Sequence, residues 1–319
     1  MDRIVIHEVG LRDGLQVEKT IVPLEEKIRW IEEIITSGVD IIQLGSFVNP
    51  EKVPQMADTD ALFNHFKSSV TRGSAQFGSG AIQKPAKVLL SGLVLNERGL
   101  ERGMACGVEM FCMGVSASET HSQKNTGMTS KEALRRIVPM ARSALDAGKR
   151  VQVSVQSAFG CGFEGPVPKE KVLGIVEAYL EAGLRNISLA DTAGHAQPMQ
   201  VEEIYTAIHH LEPSVEMACH FHNTYGLGLA NCYAALKSGV TYFESAFGGL
   251  GGCPFTKLPA GNVSTEDLVH SFQRMGIRRD IKLDQLLDVA RQVSKFFDRE
   301  LPGFILKSGS IVLEQVRRT

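Results

Sequence analysis

The chain lacks an excess of charge of either sign. Its 34 Lys and Arg residues nearly balance 36 Asp and Glu residues, for a net charge of −2. That balance offers no basic surface to nucleic acid or to an anionic membrane, so neither partner is expected. No hydrophobic run reaches the ~18 residues that a membrane span requires. The opening "MDRIVIHEVG" enters an alternating apolar run at once, with no room for the parts of a secretory leader. A cytoplasmic location is the expectation. Cysteine is sparse and unpaired in spacing: Cys106, Cys112, Cys161, Cys219, Cys232 and Cys253 form no CxxC. A disulfide framework is thereby excluded, and reduced, buried thiols are expected. There is no P-loop, no repeat of 20–50 residues and no low-complexity segment.

What is present is an ordinary globular composition, 43% apolar and 22% charged over 319 residues. Eight β-branched-rich runs recur along it: 3–9, 39–47, 87–95, 108–115, 150–158, 186–191, 215–222 and 241–247. Between them lie amphipathic windows such as 23–38, 129–148, 168–183 and 226–239. Each repeats apolar residues at i, i+3 and i+4 and ends on Gly, a favourable helix stop. Eight strand-plus-helix units predict an α/β fold, a (β/α)8 TIM barrel. An open doubly wound sheet is the alternative, disfavoured because no GxGxxG follows the first run. We assign residues 1–275 to the barrel and 276–319 to a C-terminal helical extension packed on it. Residues 67–86, rich in Gly and Ser, are read as a surface loop.

In such a barrel the chemistry belongs to the loops after the strands. Polar residues gather there: Arg12 and Asp13 after the first run, Gln43 and Ser46 at the end of the second, Ser188 and Asp191 at the sixth. His220 and His222 end the seventh, and Cys253 and Asn262 follow the eighth. Side chains at i and i+2 of a strand share a face, so "HFH" turns both imidazoles inward. The alternative is one core and one exposed histidine. With Asp13 from a nearby strand end, and the Asn262 amide, the set offers nitrogen and oxygen to one divalent ion. Such a set suits Mg²⁺ or Mn²⁺, and Zn²⁺ less well. Alternation puts Arg12 and Asp13 on opposite sides if the strand persists; a plain ion pair at the barrel end is the alternative. Four glycines precede Cys253, giving a loop able to fold sharply and a thiol placed for proton transfer, or simply a free cysteine in a flexible loop. Asp191 is equally suited to cap the segment "DTAG".

Assembled, these segments resemble the 3-hydroxy-3-methylglutaryl-CoA lyase family, within a wider group of metal-dependent barrels that includes isopropylmalate and homocitrate synthases. The likeness is carried by "EVGLRDGLQVEK", "SFVNPEKVPQMAD", "GCGFEG", "ISLADTAG", "HFHNTYGLGLAN" and "GLGGCPFTKLPAGNVSTEDLV". It implies an acyl-CoA substrate, a divalent metal and a homodimer. It implies that Arg12 stabilises the enolate oxygen and that Asp13, His220, His222 and Asn262 serve the metal. Cys253 becomes the acid or base, and Asp13 counts among the catalytic residues. Arg12, Gln16, Gln43, Ser46, Ser154, Ser188 and Asp191 become the substrate contacts. Cleavage of a 3-hydroxyacyl-CoA to acetyl-CoA and a keto acid is the implied reaction. Three departures stand out: Gln43 where the family has glutamate, Asn223 in place of a carboxylate, and Ser154 at an aromatic position. Two negative charges are thus expected to be missing near the metal, with a roomier acyl pocket. A related substrate such as citramalyl-CoA, or a bulkier 3-hydroxyacyl-CoA, stays open. So do a Claisen-type synthase and, in a different class, a barrel that only binds.

Overall fold

The computed structural model describes residues 4–71, 88–252 and 261–311. Cys253, most of the 67–86 segment and the tail from 312 lie outside the described residues. Eight parallel strands close into a barrel in sequence order. They are β1 (Val5–Glu8), β2 (Ile41–Ser46), β3 (Leu89–Leu93), β4 (Met110–Ser116), β5 (Arg150–Gln156), β6 (Asn186–Asp191), β7 (Glu216–Phe221) and β8 (Tyr242–Ser245). β1 pairs with β2 and with β8, which completes the ring. Each strand lies inside its predicted run or within a residue of it, because strands buried on both faces read as continuous apolar stretches.

The helices are α1 (Leu24–Ser37), α2 (Thr59–Thr71), α3 (Glu97–Cys106), α4 (Glu119–Thr126), α5 (Ser130–Asp146), α6 (Lys169–Glu181), α7 (Pro198–Leu211) and α8 (Gly228–Lys237). α9 (Thr265–Arg274), α10 (Leu283–Phe296) and α11 (Phe304–Ser308) complete the described set. The glycines that close the four amphipathic windows, Gly38, Gly148, Gly183 and Gly239, all adopt left-handed φ values of 94°, 75°, 75° and 86°. α5 begins with a full capping box between Thr129 and Glu132. Residues 67–71 complete α2 instead of opening a loop, a correction to the sequence reading. The glycines of that segment begin only beyond them, at Gly73. Among the described residues no helix is long and apolar enough to cross a membrane.

Hydrogen bonds between non-adjacent strands reveal which residues face the interior. His7 of β1 meets Ser91 of β3 at 2.8 Å, and Ser188 of β6 meets Glu244 of β8 at 2.8 Å. Barrel interiors are usually filled by branched aliphatics; this one is lined by polar side chains. Many apolar strand residues turn outward, where Phe111, Val153, Leu189 and Phe243 are buried beneath the helices.

Beyond residue 275 the chain returns to its start. Arg278 reaches the carbonyls of Ile4 (2.9 Å) and Gly38 (3.1 Å), pairs with Asp40, and is held by Asp280. α10 then lies on α1, with Phe296 edge-on to Trp30 at 5.7 Å. Arg278→Met takes the guanidinium from two carbonyls and from the part-buried Asp40 carboxylate, which keeps the Ile6 amide. It is expected to destabilise the fold by about 3 kcal/mol, read as a shift in urea midpoint at unchanged slope. A shift under ~0.5 kcal/mol would show that the clamp is ornamental.

Candidate active site

The first strand does not persist to residue 13. Carbonyl oxygen of Val9 accepts from the amides of Arg12 (3.1 Å), Asp13 (2.8 Å) and Gly14 (3.5 Å), winding Gly10–Gly14 into a single π-helical turn. This corrects the expectation of opposite faces. In the turn Arg12 and Asp13 lie side by side, and Arg12 Nη1 donates to Asp13 Oδ1. Arg12 Nε donates to Gln43 Oε1, and Gln16 Nε2 reaches Asp13 Oδ1 at 3.3 Å. Among the described residues Nη2 of Arg12 meets no acceptor.

Asp13 Oδ2 faces the two histidines, 3.5 Å from His222 Nε2 and 3.7 Å from His220 Nε2. The two Nε2 atoms are 3.2 Å apart. Their protonation follows from their other nitrogens. His222 Nδ1 lies 3.1 Å from the Thr192 carbonyl, and His220 Nδ1 lies 3.0 Å from Glu244 Oε2. Both partners only accept, so each Nδ1 carries a proton, and in the neutral ring Nε2 is the nitrogen that offers a lone pair. Two lone pairs and a carboxylate oxygen therefore converge, all within 4.8 Å of one another. Asn262 Nδ2 donates to Asp13 Oδ2 (2.8 Å), while its Oδ1, with the residue 2% exposed, has no partner. Converging acceptors and an orphaned amide oxygen fit a divalent cation.

The electrostatics agree. Burial raises the Asp13 carboxyl, but the Arg12 guanidinium and the two imidazoles hold it well below the usual range. It is a carboxylate at any ordinary pH. Burial lowers His220, yet Glu244 and Asp13 more than reverse this and leave it above its normal value. The site is built to attract positive charge.

Other predicted residues make contacts within the protein. Ser188 donates to Glu244 and so supports His220 from behind. Asp191, 0% exposed, accepts from the amides of His195 (2.8 Å) and Ala196 (3.2 Å). It serves the capping role, and burial pushes it up to about 6. Asn223 Oδ1 accepts from Gly228 N at 3.0 Å at the start of α8. Its amide is thus committed to that turn, and Gln43 alone of the two departures touches the charged cluster. Ser46 is buried with an unpartnered hydroxyl, and Ser154 donates weakly to the Met113 carbonyl at 3.3 Å.

Sequence reasoning missed three carboxylates. Glu244 supports His220. Glu8 accepts from Gly10 N (2.7 Å), Phe247 N (3.1 Å) and Thr265 Oγ1 (2.6 Å), which ties the Arg12–Asp13 turn to the segment after β8. Glu266 holds Gly248 N at 2.9 Å. Burial raises Glu8 to about 7 and Glu266 to about 8. A charged residue inside an apolar run, as in "TYFESAF", was the available signal for Glu244.

Comparison with known proteins fits this geometry. A family model described as HMGL-like matches residues 3–293. The chain is similar to a hydroxymethylglutaryl-CoA lyase of Bacillus subtilis, 36% identical and covering 94% of this chain and 95% of the relative. It is 34% identical to an (R)-citramalyl-CoA lyase of Chloroflexus aurantiacus, over 98% and 96% of the two chains. The crystal structure of a Bacillus subtilis HMG-CoA lyase matches it with a TM-score of 0.86 at 35% identity, covering 97% and 98%. With one barrel and one sequence pattern shared along almost the whole length, the chain belongs to the HMGL-like family.

Proposed function

We propose that the protein is a divalent-metal-dependent carbon–carbon lyase. It cleaves a 3-hydroxy-3-methylglutaryl-CoA-like 3-hydroxyacyl-CoA to acetyl-CoA and a keto acid. The observation that carries this reading is the convergence of two bare imidazole nitrogens on Asp13, beside a guanidinium with a free arm.

Asp13, His220, His222 and the Asn262 oxygen would hold Mg²⁺ or Mn²⁺. The bound ion supplies Lewis acidity that makes the substrate's C3 hydroxyl easier to deprotonate. The remaining chemistry belongs to side chains. The hydroxyl proton passes to the Asp13 carboxylate, which the resemblance counts among the catalytic residues, the C3–O bond becomes a carbonyl, and the C2–C3 electron pair moves onto the thioester as an enolate. Arg12 meets the oxygen where that charge develops: Asp13 and Gln43 engage Nη1 and Nε, fixing the plane, and Nη2 is available to donate. A proton must then reach C2. Resemblance assigns it to Cys253, whose thiol acts as the acid.

Gln43 supports the second reading, a related acyl-CoA such as citramalyl-CoA. Its amide accepts from Arg12 without neutralising it, so the pocket carries one more positive charge than a glutamate would leave. The test is a panel of 3-hydroxyacyl-CoAs with Mn²⁺ or Mg²⁺. Acetyl-CoA release should vanish on chelation. It should also vanish in Cys253→Ala while that variant still binds Mn²⁺. Metal-loaded protein that releases acetyl-CoA from no member would end the proposal.

A further inference from the structure

The inner wall of the barrel is sealed unevenly. Deep in it, His7 and Ser91 are 0% exposed and Gln152 is 3% exposed. Nearer the mouth, Leu93 on β3, Ser154 and Gln156 on β5, and Ala190 on β6 are only half-buried. All four face inward. Leu93 is two residues beyond Ser91, and Ala190 two beyond Ser188, both of which bond across the interior. Ser154 and Gln156 follow Gln152, which meets inward-facing Cys112 at 3.7 Å. Their outward neighbours Val153, Val155 and Leu189 are 0% exposed under the helices. An inward side chain of a closed barrel reaches solvent only through space within the mouth. Open space therefore lies along β3–β6. Gly114 of β4 faces the same way and adds no side chain of its own; Ser154 and Gln156 already take up the space its Cβ would need. The metal-ligand set stands after β1, on and after β7, and after β8, so Ala190 on β6, paired in register with His220, borders it while β3–β5 lie across the mouth.

We propose that this lobe receives the C3 substituent of the substrate. The preferred substrates are then 3-hydroxyacyl-CoAs whose C3 bears an alkyl or alkenyl group longer than methyl. The inference rests on the lyase reading above. The C3 hydroxyl and the distal carboxylate belong with the charged groups near Arg12, and the CoA arm leaves through the mouth. The remaining bond of C3 points toward β3–β6. Leu93 and Ala190 give that lobe apolar walls on β3 and β6. Ser154 and Gln156 form its polar rim. With strands about 4.8 Å apart, β5 is about 10 Å from β7, enough for several carbons beyond a methyl.

The test uses the full chain with Mn²⁺ and 3-hydroxy-3-alkylglutaryl-CoAs carrying methyl, propyl and isohexenyl groups, with citramalyl-CoA alongside. kcat/KM is measured for each, and Kd by calorimetry for the matching analogues that lack the hydroxyl. The wild-type chain is expected to hold or raise kcat/KM as the group lengthens. Ser154→Phe, which fills the lobe from β5, should lower the isohexenyl-to-methyl ratio by about 100-fold or more, and the analogue Kd values should follow. Ala190→Leu gives the same reading from β6 should Ser154→Phe fail to fold. A wild-type preference for methyl or citramalyl substrates, in turnover and in Kd, overturns the proposal. An equal loss for every substrate in Ser154→Phe also overturns it, because the lobe then holds the CoA arm. If nothing is cleaved with Mn²⁺ bound, the lyase reading fails, and the Kd series still decides the lobe.

Discussion

Arg12→Met is expected to lower kcat by about 10²–10³-fold, roughly 3–4 kcal/mol of barrier. The same variant should bind Mn²⁺ at least as tightly as the parent. The split follows from what Arg12 touches. Its guanidinium lies against Asp13, so it competes with a cation for that carboxylate; removing it frees Asp13. Its unoccupied Nη2 meets charge that exists only after C2–C3 begins to break, so removing it affects the barrier more than ground-state binding. Arg12→Lys should fare little better, because an ammonium cannot donate to Asp13, Gln43 and substrate in one plane. Turnover by acetyl-CoA release and Mn²⁺ binding by electron paramagnetic resonance give the two readings. A kcat within 10-fold of the parent would remove Arg12 from the charge-stabilising role.

Glu244→Gln is expected to weaken Mn²⁺ binding about 10–100-fold while leaving thermal stability near that of the parent. The amide is close in shape to the carboxylate, and its oxygen can still accept from His220 Nδ1. The Ser188 hydroxyl can rotate to accept from the new NH₂. What disappears is a buried negative charge, held below its usual pKa despite desolvation by the bond to His220. That charge raises the electron density on His220 Nε2, the atom offered to the cation. Glu244→Asp should recover part of the affinity. Unchanged Mn²⁺ affinity in Glu244→Gln would reduce Glu244 to packing.

The order of elements was legible because parallel strands and amphipathic helices carry different periods. The closed ring followed from counting eight such units. Asp13, His220, His222 and Asn262 were also legible, since strand ends at one face of a barrel must converge. Three things were not. The π-helical turn at Gly10–Gly14 arises from three amides sharing the Val9 carbonyl, a feature of backbone geometry that alternation arguments overlook. Glu244 sits within an apolar run, and its importance appears only when β6, β7 and β8 are set side by side. Ser188 and Asp191 were recognised as polar strand-end residues. They also hold Glu244 and the β6–α7 loop, and nothing local to their sequence announces those bonds.

The bond from Asn262 to Asp13 spans 249 residues. A ribosome adding roughly 5–20 residues per second completes that span about 12–50 s after it makes Asp13. For most of that time Asp13 and Arg12 have no histidines to face, and β1 has no β8. A cation that binds only the joined ends adds its binding free energy to closure, growing with the logarithm of its concentration. Metal supply thereby becomes a determinant of how much newly made chain stays shut.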